Sequence, residues 1–177
     1  MHSARNLSAV AFLCLSACGK PEIIDGAVIA AGDNSAFQHE RQTSAPPDAI
    51  WALWTDASTW KDWDKGLKSA RLEGPMAAGA IGEIAPLSGP TAQFRVTDYI
   101  EGQSYSFETS LPLARLTVRR SFVSLSPTVF RHDVSFSGAL GGFWSDRLGP
   151  QFRAALPATM DALATLAEQS GDVVLAE

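Results

Sequence analysis

Residues 91 to 140 alternate between apolar and polar side chains in four segments, which short turns separate. Alternation with a period of two predicts β-strands that bury one face. The turns lie at Glu101-Gly102, at Pro112-Leu113 and around Ser126-Pro127, and such short turns predict antiparallel neighbours whose register follows from the loop length. The chain is therefore constrained to fold around an antiparallel sheet of at least four strands with one apolar face.

One row of this apolar face is polar. The predicted registers place four ionisable or hydrogen-bonding side chains next to one another across the strands: Asp98, Tyr105, Arg120 and His132. Burying such groups is costly unless they pair with one another or contact a ligand. This polar row is therefore the candidate functional site.

Each side chain of the polar row suits a role in ligand binding or catalysis. Arg120 could bind a carboxylate, phosphate or enolate oxygen through its rigid fork of donors, and Asp98 could orient Arg120 or His132. Tyr105 could donate to a carbonyl group and His132 could bind a polar group or transfer protons, so these two are the candidate catalytic residues. The same four side chains could instead form a structural network that needs no ligand.

The composition argues against several other classes of function. The net charge is -5, and the sequence has no cluster of Lys and Arg that would predict a nucleic-acid-binding surface. Both cysteines, Cys14 and Cys18, precede the body of the chain and the three histidines are scattered, so no metal site is predicted. The sequence also has no glycine-rich phosphate-binding loop, and we expect no cofactor.

The first 18 residues resemble a secretory signal. Arg5 supplies a positive charge, and a short apolar run from Leu7 precedes Leu15-Ser16-Ala17-Cys18, which resembles a bacterial lipobox. The resemblance implies lipidation of Cys18 and a lipoprotein that is anchored to a membrane of the cell envelope. Residues 19–34 would then form a tether. The alternative is an unprocessed N-terminal extension of a cytoplasmic protein.

The body of the chain, residues 35–170, predicts a single domain that is followed by a short tail, residues 171–177. Residues 35–44 alternate in polarity and predict a first strand. Pro47 and Asp48 then mark the start of a helix, because proline is tolerated in the first turn and a carboxylate there is favourable.

Further elements complete this domain. Aromatic residues at helical spacing indicate two short helices, and we expect four tryptophans to pack in the core: Trp51, Trp54, Trp60 and Trp63. Strands are predicted at 67–72 and 80–87, before the four strands described above. Apolar side chains recur every three to five residues from 142 to 169, which predicts a long amphipathic helix.

Several segments resemble those of one protein family. They are Ala45 to Trp51 with Thr55-Asp56, Trp60 to Asp64, Gly79 to Gly82, and Leu156 to Leu163. This pattern is similar to the polyketide cyclase/dehydratase and lipid-transport family of the START-like, helix-grip superfamily, also called SRPBCC. The resemblance implies an α+β fold in which a curved antiparallel sheet of about seven strands wraps around a long C-terminal helix. It also implies a deep cavity between the sheet and the helix.

In that arrangement the polar row would point into the cavity. Aromatic side chains would form its walls, with Phe107 and Phe122 on the sheet and Phe152 on the helix. The expected function is the binding of a small hydrophobic molecule such as a lipid, an isoprenoid or a polyketide. One alternative is a cyclase or dehydratase that uses the polar row for acid–base chemistry. Another is a structural protein whose own side chains fill the cavity.

Overall fold

The computed structural model describes residues 35–174, with side chains through residue 170. In chain order, its helices and strands are β1 (Ala36–Thr43), α1 (Pro47–Thr55), α2 (Trp60–Trp63), β2 (Leu67–Leu72), β3 (Ile81–Pro86), β4 (Ala92–Ile100), β5 (Ser104–Leu111), β6 (Ala114–Leu125), β7 (Thr128–Ser137) and α3 (Gly141–Val174). The predicted signal segment and tether, with the lipidation site at Cys18, lie outside the described residues and stay predictions.

The seven strands form one antiparallel sheet in the order β1-β7-β6-β5-β4-β3-β2. The sheet curls into a half-barrel, and α3 packs against β1 and β7 and against the two short helices. This arrangement confirms the predicted α+β fold. Within residues 35–174, no helix is both long and apolar enough to cross a membrane.

Strand β4 contains a bulge that the sequence analysis did not anticipate. Val96 pairs with Phe107 as predicted, but after the bulge Asp98 pairs with Ser106 and Tyr99 pairs with Tyr105. One extra residue in a strand moves every following side chain to the other face. Placing Asp98 in the inner polar row was therefore wrong, because Asp98 lies on the outer face.

The turn after β4 explains the error. Ile100 pairs with Ser104, and the backbone N–H of Gln103 donates to the carbonyl of Ile100, so the turn holds one residue more than the two that we assumed. On the outer face, Asp98 forms an ion pair of 3.1 Å with Arg119.

The helices bury their aromatic and aliphatic side chains against the inner face of the sheet. Trp54, Trp60 and Trp63 are fully buried, which confirms the prediction that they pack in the core. The second half of α3 presents a continuous apolar stripe to the core: Leu156, Met160, Leu163, Ala164 and Ala167. Pro150 lies inside this helix without ending it.

Candidate functional site

The inner face of the sheet carries a polar layer that spans five strands. The register pairs His39 with His132, His132 with Arg120, Arg120 with Tyr105, and Tyr105 with Tyr99. Three of these residues, Tyr105, Arg120 and His132, belong to the predicted row. His39 and Tyr99 were missed. No local signal reveals His39, because its place depends on the pairing of β1 with the distant strand β7.

Arg120 lies at the centre of this layer and is 4% exposed. Its Cζ lies 4.3 Å from the ring centroid of Trp60 and 4.7 Å from that of Trp63, which is the geometry of a cation–π contact. One guanidinium N–H donates to the hydroxyl of Tyr105. Across the part of the chain that the structure describes, no carboxylate forms an ion pair with Arg120.

Two buried donors in this region have no hydrogen-bond acceptor among the described residues. They are Nε of Arg120 and Nε1 of Trp63. A buried donor without an acceptor costs about 1–3 kcal/mol. The centre of the polar layer therefore combines a positive charge with two unused N–H groups.

Asp64 is the acidic side chain whose charge acts on Arg120 through space. Burial raises the pKa of the Asp64 carboxyl, while a hydrogen bond from the N–H of Gly66 and the charge of Arg120 oppose that rise. Asp64 was not among the predicted site residues. Its half-buried position at the end of α2 follows from the packing of Trp63 beside it. It lies beyond ion-pair distance of the guanidinium, so it compensates the buried charge only in part.

Trp54 connects helix α1 to the polar layer. Its indole Nε1 donates to Nε2 of His132 at 3.1 Å. Its backbone carbonyl accepts from the hydroxyl of Tyr105 at 2.7 Å and from Nε1 of Trp60 at 3.0 Å. Helix α1 therefore fixes both of the predicted catalytic residues.

The two candidate catalytic residues are held in their neutral forms. Burial, the charge of Arg120 and the neighbouring His39 lower the pKa of His132 well below its usual value. Burial raises the pKa of Tyr105 to about 12, although Arg120 acts in the opposite direction. Nε2 of His132 accepts a hydrogen bond from Trp54 and the hydroxyl of Tyr105 donates one to its carbonyl, so both groups are engaged with helix α1.

An incompletely covered apolar region lies beside the polar layer. Helix α3 covers β1 and β7 more than β6, and several inward-facing apolar residues remain half-buried: Leu111, Leu116, Val118, Leu148 and Phe152. Their neighbours in the same rows of the sheet, Phe107 and Val134, are buried. We refer to this half-buried apolar region between β6 and the first half of α3 as the cleft.

The predicted wall residues fall on different sides of the layer. Phe107 is buried and stacks on Trp60, with 5.3 Å between ring centroids. Phe122 lies beyond Arg120 and packs on Trp54 at 4.9 Å. Phe152 lies at the cleft and contacts Phe136 edge to face. Only Phe152 is thus placed where it could contact a molecule in the cleft without rearrangement.

A shallow groove of about 440 Å³ lies on the surface at the turn between β5 and β6 and shares Leu111 with the cleft. The groove is lined by Ser110, Leu111, Leu113, Ala114, Arg115, Ser137 and Gly138. It includes none of the residues of the polar layer. Among the described side chains, no group of three or more His, Cys, Asp or Glu residues is placed to hold a metal ion.

Comparisons with known proteins agree with the fold. The sequence model of the family described as "Polyketide cyclase / dehydrase and lipid transport" matches residues 35–168. A comparison with curated protein sequences finds no match.

Solved structures share the fold at low sequence identity. A protein from Nitrosomonas europaea has 12% identity and a TM-score of 0.60, covering 78% of this chain and 97% of its own. The di-domain ARO/CYC StfQ from the steffimycin biosynthetic pathway has 12% identity and a TM-score of 0.60, covering 77% of this chain and 51% of its own. Norcoclaurine synthase from Thalictrum flavum has 13% identity and a TM-score of 0.54, covering 76% of this chain and 94% of its own. Identities this low are informative about the fold alone.

Proposed function

Because the chain belongs to the polyketide cyclase/dehydrase and lipid transport family, we propose that it binds a small hydrophobic molecule in the cleft between β6 and α3. The proposed ligand is a lipid, an isoprenoid or a polyketide, and the proposed role is carriage or sequestration of that ligand. The observation that carries this proposal is the row of half-buried apolar side chains beneath the first half of α3.

These side chains leave apolar surface in contact with water, and a ligand could cover it. Each 100 Å² of apolar surface that a ligand removes from water contributes about 2.5 kcal/mol. Part of this gain is offset by the cost of immobilising the ligand.

A cyclase or dehydratase has less support than a binding protein. Such an enzyme would need Tyr105 or His132 to exchange protons with its substrate. Both side chains are fully buried, and both spend a hydrogen bond on Trp54. Acid–base chemistry by either side chain would compete with its hydrogen bond to Trp54.

The proposal is tested by the affinity of the full chain for N-phenyl-1-naphthylamine, a neutral apolar probe whose fluorescence rises on transfer out of water. Val118→Trp would fill the cleft and should weaken probe binding about tenfold or more, because each 1.4 kcal/mol changes affinity tenfold. Val123→Trp is the matched control, since Val123 lies on the same strand and is 48% exposed. Leu148→Trp fills the cleft from α3 and provides a second test if the first variant does not fold.

Two results would overturn the proposal. One is a wild-type protein that does not bind the probe. The other is a folded Val118→Trp variant that binds as tightly as the Val123→Trp control. Native mass spectrometry of the purified protein, followed by denaturation, would identify any molecule that copurifies with it.

A further inference from the structure

We infer that the ligand of this cleft is an apolar carboxylic acid whose carboxylate binds to Arg120 and to the indole N–H of Trp63. This inference rests on the proposed function and specifies the chemical class of the ligand. It is carried by the unpaired positive charge and the two unused donors at the centre of the polar layer.

Arg120 carries a buried positive charge. Burying a cation is costly unless an anion or several acceptors compensate it. The rings of Trp60 and Trp63 offset part of this cost through cation–π contacts, which an Arg side chain can make while its N–H edge stays free for hydrogen bonds. The remaining requirement is for an anionic acceptor at that edge.

Two buried N–H donors belong to Arg120 and to the adjacent Trp63. Nε of Arg120 and Nε1 of Trp63 are both buried without an acceptor among residues 35–170. The ring centroid of Trp63 lies 4.7 Å from Cζ of Arg120, so the two side chains that carry these donors are in contact. A carboxylate has two oxygens that can accept from two such donors, and it matches the planar fork of arginine.

The polar neighbours of Arg120 are Tyr105, His132 and Asp64. Tyr105 takes one N–H of the guanidinium, and its own proton goes to the carbonyl of Trp54. His132 accepts from Trp54 and stays neutral, so it neither compensates nor repels an anion strongly. The carboxyl of Asp64 accepts from the N–H of Gly66 and lies beyond ion-pair distance of the guanidinium, so it compensates the charge of Arg120 only in part.

Arg120 lies close to the cleft along strand β6. Val118 and Arg120 are consecutive inward-facing residues of β6, and two residues of a strand span about 7 Å. Val118 is half-buried at the cleft, whereas Arg120 is 4% exposed. An amphipathic acid could therefore place its chain along Leu116 and Val118 and its carboxylate at Arg120.

The test compares dodecanoic acid with dodecanol as competitors of N-phenyl-1-naphthylamine at pH 7.5, with the full chain. The two compounds share a chain length and differ in the head group. Because hydrogen bonds to a charged group are strong, the acid should bind about 10- to 100-fold more tightly than the alcohol. Arg120→Gln should remove this preference, and Trp63→Phe should reduce it several-fold.

The matched control is Arg119→Gln. Arg119 is the preceding residue on the same strand, but it lies on the outer face and pairs with Asp98. Its replacement should leave the preference for the acid unchanged.

The outcomes separate this inference from the proposed function. If the probe binds and the wild-type protein shows equal affinity for the acid and the alcohol, the inference is wrong and the proposed function stands. A preference for the acid that persists in a folded Arg120→Gln variant would also overturn it. If neither the probe nor either competitor binds, the proposed function itself fails.

Discussion

The indole Nε1 of Trp54 donates a hydrogen bond to Nε2 of His132 at 3.1 Å, and so joins helix α1 to strand β7. The backbone carbonyl of the same tryptophan accepts from Tyr105 and Trp60. One residue of α1 thus satisfies polar groups from β5, β7 and α2. The short helices and the polar layer are consequently one unit, and neither keeps its geometry without the other.

Trp54→Phe should destabilise the protein strongly. The substitution removes the donor to His132 and leaves a gap among Phe122, Phe130 and Tyr105, because Trp54 is fully buried. We expect the free energy of unfolding to fall by about 2–4 kcal/mol, as judged from buried large-to-small substitutions and lost hydrogen bonds. Urea denaturation followed by circular dichroism measures this change.

Trp51→Phe serves as the control for that substitution. Trp51 is on the same helix and contacts Trp54 and Tyr99, but it is only half-buried. It should cost clearly less. Equal losses in the two variants would contradict a special role for the hydrogen bond to His132.

The protein should lose stability as the pH falls below about 6.5 because of His132. Burial, Arg120 and His39 lower the pKa of His132 in the folded state, whereas the unfolded chain has the ordinary value. In the window between these two pKa values the unfolded chain binds a proton that the folded protein excludes. The free energy of unfolding therefore falls with decreasing pH, by at most about 1.4 kcal/mol per pH unit for this one group.

Denaturation of the wild type and of His132→Gln between pH 7.5 and pH 5.5 measures this contribution. Glutamine cannot titrate, so the variant should show the shallower dependence on pH. The carboxyls of Asp64 and Asp133 have raised pKa values, so they stabilise the folded protein as the pH falls through the range where they titrate. The contribution of His132 is therefore measured best in the upper part of this pH range. Parallel curves for the two proteins would mean that His132 carries no such linkage.

Gly82→Ala should destabilise the junction of β2, β3 and β4. A Cβ at Gly82 would lie 2.5 Å from the carbonyl oxygen of Arg71 and still closer to the ring of Phe94. Because Phe94 is 1% exposed and stacks on Trp60, its ring has little room to move, and we expect a loss of about 1–3 kcal/mol. The melting temperature would report it.

Gly142→Ala is the matched control for that substitution. A Cβ at Gly142, in the first turn of α3, meets nothing within 4 Å. Alanine there should be neutral or stabilising by about 0.4–1 kcal/mol, because it restricts the unfolded chain. If Gly82→Ala were as stable as Gly142→Ala, the close approach of Phe94 would not be what limits the side chain at position 82.

The parts of the fold that could be predicted are those set by local pattern. The turns at Pro112-Leu113 and Ser126-Pro127 gave the correct pairing of Tyr105 with Arg120 and of Arg120 with His132. The same reasoning failed for Asp98, because a bulge changes the face of a strand without any glycine or proline to mark it.

Other parts of the site depend on packing between distant segments. His39 joins the layer only because β1 pairs with β7, about ninety residues later in the chain. Trp54, Trp60 and Trp63 were correctly expected to be buried, whereas Trp51 is only half-buried. Their role as the walls around Arg120 follows from the position of α2 over the sheet, which no pattern in the sequence specifies.

The bulge in β4 has a further consequence for how this domain could diversify. Arg119 and Arg120 are neighbours in sequence, and the single additional residue decides which of them meets the carboxylate of Asp98. With the bulge, the carboxylate of Asp98 pairs with Arg119 on the outer face and is kept away from Arg120 on the inner face. Deletion of one residue at the bulge would turn Asp98 to the inner face and leave Arg119 without this partner, so the distribution of charge between the two faces depends on a single residue.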